Sequence, residues 1–96
     1  MLFRSATVTA YQTLEAAGRQ ILRAIALYLD LDENYFDRYV EKGNSILRPI
    51  HYFAIDNPQD VPPNAVRAAA HGDINLITLL MGASAEGLQI LRQDGK

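Results

Sequence analysis

Helices first and strands after, an α+β arrangement, is the fold class the sequence predicts, and two observations predict it. Large apolar side chains follow helical spacing as far as Leu29, and beyond Asn44 the chain turns to β-branched and aromatic runs broken by proline and glycine. The change of character divides the chain into a helical segment, 1–43, and an extended segment, 44–96, together one domain or a fragment of one.

From Val8 to Leu29 the larger side chains stand at 8, 11, 14, 21, 22, 25, 28 and 29, with Ala17 and Gly18 filling the gap, which predicts an amphipathic helix. Thr9 and Gln12 have the spacing of a capping box, with Ser5 and Thr7 as alternative starts. Asp30 and Asp32 precede a shorter helix in "ENYFDRYVEKG", where Phe36, Tyr39 and Val40 share a face and Gly43 is the expected stop. The acids clustered from Asp30 to Glu41 read as a solvated face favoured by the helix dipole, against the alternative of a cation site.

In the second half, "SILRPIHYFAI" reads as a strand that Pro49 confines to an edge or a bulge. "DNPQDVPPN" is a turn-rich loop whose prolines exclude a helix and a central strand. "VRAAAH", "INLITLLM" and "GLQIL" are further extended candidates, the last two joined by the loop "GASAEG".

Composition narrows the function classes. A chain of 96 residues buries a smaller share of its surface than a larger domain, so a partner, such as a second copy, is expected. The absence of cysteine excludes disulfides and thiolate metal sites and is compatible with a cytoplasmic location. A net charge of −2, with basic residues scattered from Arg4 to Lys96, offers no basic stripe for nucleic acid. The apolar run in "MLFRSATVTAYQ" is too short for a signal-peptide core or a membrane span. Ser84, in "GASAEG", lacks a nucleophile-elbow setting, and there is no glycine-rich phosphate loop.

The chemistry-bearing stretch is "RAAAHGDINLITLL". In an extended segment residues i and i+2 project to the same side, so the His71 imidazole and the Asp73 carboxylate converge, with no bulk from Gly72 between them. A neutral imidazole and a carboxylate are two of the three ligands of the facial triad of non-haem iron oxygenases. The plain alternative is a hydrogen-bonded His–Asp pair at a turn.

Taken together, "SILRPIHYFAIDNP", "VRAAAHGDINLITLLMG" and "EGLQIL" followed by "DGK" resemble the middle of the isopenicillin N synthase-like family of iron(II)- and 2-oxoglutarate-dependent oxygenases. In that family an L-R-x-x-H-Y strand, an A-H-x-D-x-x-x-x-T-L-L segment and a G-L-Q-[VIL] strand follow in this order. The stretch "DLDENYFDRYVEKGNSIL" looks like the helix that leads into the family core.

The resemblance implies a partial double-stranded β-helix, a cupin-like jelly roll, over 44–96, with Leu79, Leu80, Leu88 and Ile90 in its core. It implies His71 and Asp73 as iron(II) ligands, and Tyr52 as a residue that helps hold 2-oxoglutarate, although Ile50 stands where many members carry a polar partner. The alternative for Tyr52 is a tyrosine half-buried in a sheet. The family's distal histidine and R-x-S have no counterpart after Asp73. His51, the other imidazole, neighbours Tyr52 and so faces the opposite side of a regular strand, as a structural histidine or, alternatively, a third ligand.

The expectation is a fragment of an oxidoreductase that hydroxylates or desaturates a small organic substrate, inactive alone. The alternative is a non-catalytic, self-associating module derived from the same fold.

Overall fold

The computed structural model describes residues 2–82 and 86–96, so Ser84 and the centre of the predicted "GASAEG" loop lie outside the described residues. One long helix dominates: α1, Leu2–Tyr28. It starts before the predicted Val8 and without the capping box, and Thr7 instead donates its hydroxyl to the Phe3 carbonyl one turn back, at 2.8 Å. The buried and half-buried positions of α1 are 7, 11, 14, 15, 18, 19, 22, 23 and 26, a single stripe at spacings of three and four, with only Gly18, Leu22 and Ala26 fully buried. Ile21, Ile25, Tyr28 and Leu29 lie outside that stripe and are exposed.

The end of α1 is fixed by the backbone. The Leu31 N–H donates to the Ala26 carbonyl at 2.9 Å and the Asp30 N–H to the Leu27 carbonyl at 3.1 Å, the two bonds of a Schellman motif. Asp30 occupies its left-handed position, φ 59°, which an aspartate tolerates better than most side chains. Asp30 therefore ends the first helix rather than starting the second. Asp32 does lead into the turns that follow, its carboxylate accepting the Asn34 N–H at 2.9 Å.

The second helix shrinks to one turn, α2, Asp37–Val40, entered through Phe36 with no side-chain cap. The reversal after it places Lys42, not Gly43, in the left-handed region, φ 53°. A polar edge of the α1 stripe clasps this segment. Tyr11 donates to the Ser45 carbonyl at 3.1 Å, Arg19 to the Val40 carbonyl at 3.3 Å, and Arg23 makes a forked contact with Asp37 at 2.9 and 3.4 Å.

The Arg23 guanidinium, hydrogen-bonded to Asp37, holds that carboxyl below its ordinary range. A depressed folded-state value means that the contribution of Asp37 to stability is present above its unfolded-state pKa and is lost as pH falls through the folded one. Acidification below about pH 4 is therefore expected to open the α1–α2 clasp. Arg23→Ala should return the Asp37 carboxyl carbon to an ordinary titration by NMR, and an unchanged midpoint would refute the pairing.

From residue 44 onward the sequence expectation is overturned. Among the described residues there is no strand, and the predicted partial double-stranded β-helix is not formed. Among the described residues of this part, the backbone–backbone hydrogen bonds join residues three or four apart, such as Val61 to Pro58 and Gly95 to Arg92. The physical reason is that strand propensity describes how a side chain fits a paired, pleated surface, and here the β-rich runs find no partner chain segment to pair with. Their backbone groups face water instead. The proline-rich loop holds one 3₁₀ turn, Pro58–Asp60, capped by the Asn57 side chain on the Gln59 N–H at 3.1 Å.

Besides the Tyr11 bond to the Ser45 carbonyl, the second half docks on α1 through Leu79. An added Cβ on Gly18 would come within 3.2 Å of Leu79 Cδ1, so Leu79 sits directly over the glycine of α1. Ile77 and Leu79 are half-buried while Thr78 and Leu80 are exposed, so the period-two alternation of an extended segment survives without a sheet. Of the predicted core positions only Leu79 is partly covered, and Leu80, Leu88 and Ile90 are exposed. The result is an open molecule. Its radius of gyration is 17.6 Å, against about 12.5 Å for a compact chain of this length. No helix among the described residues is long and apolar enough to cross a membrane.

Candidate metal centre

The segment that carries His71 is tied to its own backbone through the imidazole. Nδ1 of His71 lies 2.7 Å from the Ala69 carbonyl oxygen, two residues earlier. A carbonyl can only accept, so Nδ1 is the donor, and the neutral tautomer compatible with this bond has its lone pair on Nε2. That Nε2 faces Asp73 Oδ1 at 3.4 Å. The i, i+2 convergence read from the sequence is thus realised, with Gly72 adding nothing between the two side chains.

Both groups are accessible, with side-chain exposures of 68% for His71 and 49% for Asp73. In the neutral ring Nε2 and Oδ1 are two acceptors face to face, an arrangement relieved by a cation between them or by a proton on Nε2. Two adjacent ligand atoms on a six-coordinate divalent ion, each about 2.1 Å from it, stand about 3 Å apart, so the pair closes on such an ion with a few tenths of an ångström of movement. Among the described residues no group of three or more His, Asp or Glu side chains gathers here or elsewhere, the acidic cluster 30–41 included.

The other oxygen of Asp73 is engaged. Thr78 donates its hydroxyl to Oδ2 at 2.6 Å, and Asn75 Nδ2 donates to the Thr78 oxygen at 2.8 Å and to the Ile77 carbonyl at 2.6 Å. The Ala69 carbonyl, Asn75 and Thr78 are the parts that the H-x-D spacing did not indicate. The available signal was short polar residues within five positions of the carboxylate, a range over which Asn and Thr bond locally.

Tyr52 is placed apart from this turn's hydrogen bonds. Its ring lies under the Arg67 guanidinium, 5.5 Å from the ring centre, and Arg67 also donates to the Phe53 carbonyl at 3.0 Å. His51 packs edge-on against Phe53, ring centres 4.9 Å apart, so the two alternate residues share a side. Next to His71 in the chain, Ala70 lines an open cleft of about 520 Å³ with Gln89, Ile90, Leu91 and Lys96, which brings the "GLQIL" stretch beside the His-Gly-Asp turn.

No family model and no solved structure matches the chain significantly. Curated relatives do. A protein named 2-oxoglutarate-Fe(II) type oxidoreductase from Emericella nidulans is 33% identical over 89 residues, 93% of this chain and 25% of the relative. A proline hydroxylase from Petromyces alliaceus is 32% identical over 88 residues, 92% of this chain and 27% of the relative. Kihadalactone A synthase from Citrus sinensis is 40% identical over 77 residues, 79% of this chain and 23% of the relative. The chain spans about a quarter of the length of the curated relatives it matches.

Proposed function

Because the chain belongs to the iron(II)/2-oxoglutarate-dependent oxygenases, matching about a quarter of the length of its relatives, we propose that it carries two of the ligands of their metal site, Nε2 of His71 and Oδ1 of Asp73. The observation that carries this reading is the 3.4 Å approach of the His71 Nε2 to a carboxylate oxygen, with the opposite ring nitrogen tied to the Ala69 carbonyl. Iron(II), when bound, supplies the redox chemistry by which oxygen and 2-oxoglutarate hydroxylate or desaturate a small organic substrate. The chain's own part is to orient the imidazole through the Ala69 carbonyl and the carboxylate through the Thr78 hydroxyl. Tyr52, half-exposed beneath Arg67, is assigned to holding the 2-oxoglutarate in the complete site. A cysteine-free chain supports a reducing, cytoplasmic setting.

Anaerobic addition of iron(II) and then 2-oxoglutarate to the purified chain tests the reading. A visible charge-transfer band that disappears in Asp73→Ala supports it, and a spectrum indifferent to that substitution rejects it.

A second reading, a self-associating module, is supported by exposed apolar side chains. The accessible surface is 9408 Å², against roughly 5,500 Å² for a folded monomer of this mass, and Ile46, Ile74, Leu88 and Ile90 are among the residues that contribute to it. Sedimentation at micromolar concentration should show a dimer or larger species. A monomer that resists concentration would exclude this reading.

A further inference from the structure

We propose that Thr78 is a positioning residue for the cation grip: it holds Oδ2 of Asp73 so that Oδ1 alone faces His71, making Asp73 a one-oxygen ligand. The proposal rests on the reading of His71 and Asp73 as ligands and adds to it a residue that touches no metal. Thr78 donates to Oδ2 at 2.6 Å. Its only proton is committed there, because Asn75 Nδ2 donates to the same hydroxyl oxygen at 2.8 Å and occupies a lone pair. The second proton of that amide goes to the Ile77 carbonyl, so the Asn75 side chain is itself held.

The hydroxyl is placed from the far side as well. Thr78 points away from α1 because its neighbour Leu79 points toward it, over Gly18. A β-branched side chain has few χ1 choices, so a seated Leu79 leaves the Thr78 oxygen little freedom. Turning both carboxylate oxygens onto one ion would strain the Thr78 bond to Oδ2, which favours ligation through Oδ1 alone. Smaller divalent cations accept one oxygen from each carboxylate, whereas calcium commonly takes both. Thr78 thereby acts on metal choice as well as on affinity.

The test uses Mn(II) and Ca(II) as probes on the whole chain, with free Mn(II) followed by electron paramagnetic resonance and Ca(II) by competition. Thr78→Val keeps the shape and removes the donor. It should weaken Mn(II) by about tenfold or more, the usual cost of losing a partner of a ligand. It should also narrow the Mn(II)-over-Ca(II) preference, which a merely structural lesion would not do. Thr78→Ser should restore both. Should Thr78→Val lose the circular dichroism of α1, Asn75→Ala decides instead, with a smaller loss of Mn(II) binding expected.

Unchanged Mn(II) affinity in the folded Thr78→Val chain, or in Asn75→Ala where that variant decides, with binding still abolished by His71→Ala, overturns the role of Thr78 and leaves the ligand pair standing. Wild-type binding that His71→Ala does not alter overturns both.

Discussion

Replacing His71 with alanine should abolish Mn(II) and Fe(II) binding, while His51→Ala should leave it within about twofold. The two histidines differ in surroundings. His71 presents Nε2 toward a carboxylate oxygen at 3.4 Å, whereas His51 lies edge-on to the Phe53 ring, and among the described residues it is in no group of metal-binding side chains. Losing one of two protein ligands leaves a single carboxylate, which in water holds a divalent ion hardly better than a free carboxylate does. An affinity loss beyond a hundredfold is therefore expected for His71→Ala, reading one lost partner at about tenfold to a hundredfold and a lost ligand above it. Wild-type binding itself should be weak, since two ligands leave most of a six-coordinate shell to water. Isothermal titration with both variants decides the matter, and equal losses would mean that the ion sits elsewhere.

The second large effect is on stability, at Leu22. It is 4% exposed and, with Ala26 at 0%, forms the fully buried apolar core among the described residues. Leu22→Ala removes most of the apolar surface that this interior encloses, and buried Leu→Ala changes cost about 2–5 kcal/mol. Small domains have only about 5–10 kcal/mol to lose, so the urea midpoint should fall by a large fraction of its value. Ile21→Ala is the control, because Ile21 is 41% exposed and its loss should cost under about 1 kcal/mol. Equal midpoint shifts for the two variants, followed by tyrosine near-ultraviolet dichroism, would show that the stripe 18, 22, 26 is not what holds the molecule together.

The parts of the fold legible in the sequence are those fixed by local interactions. The long helix and its face follow from spacing, although its buried line runs through the small residues Gly18 and Ala26 as well as the larger ones. Gly18 fills the gap in that spacing and Ala26 carries too little apolar surface to mark the line, yet small residues let another segment approach closely. The Schellman ending at Asp30 is ambiguous in the sequence because an aspartate at a helix boundary serves either as a cap for the next helix or as the left-handed residue of the last. The strands were read from composition, and pairing is non-local: Ile46, Ile74 and Leu88 carry β-prone side chains with no ladder to join. The His71–Asp73 pair was legible because two residues apart in an extended chain is a local geometry. Thr78 was not, since a bond across five residues depends on how the intervening turn is folded.

The seat of Leu79 on Gly18 also sets an order of events in time. α1 can form by itself within about a microsecond. Bringing Leu79 to it closes a loop of roughly sixty residues, an entropic cost of about 3–4 kcal/mol before any apolar contact offsets it. The turn that carries Asp73, Asn75 and Thr78 is attached to the late side of that closure. The helix is therefore the early, persistent part of the molecule, and the Thr78-held carboxylate is the last part to assemble and the first to be released.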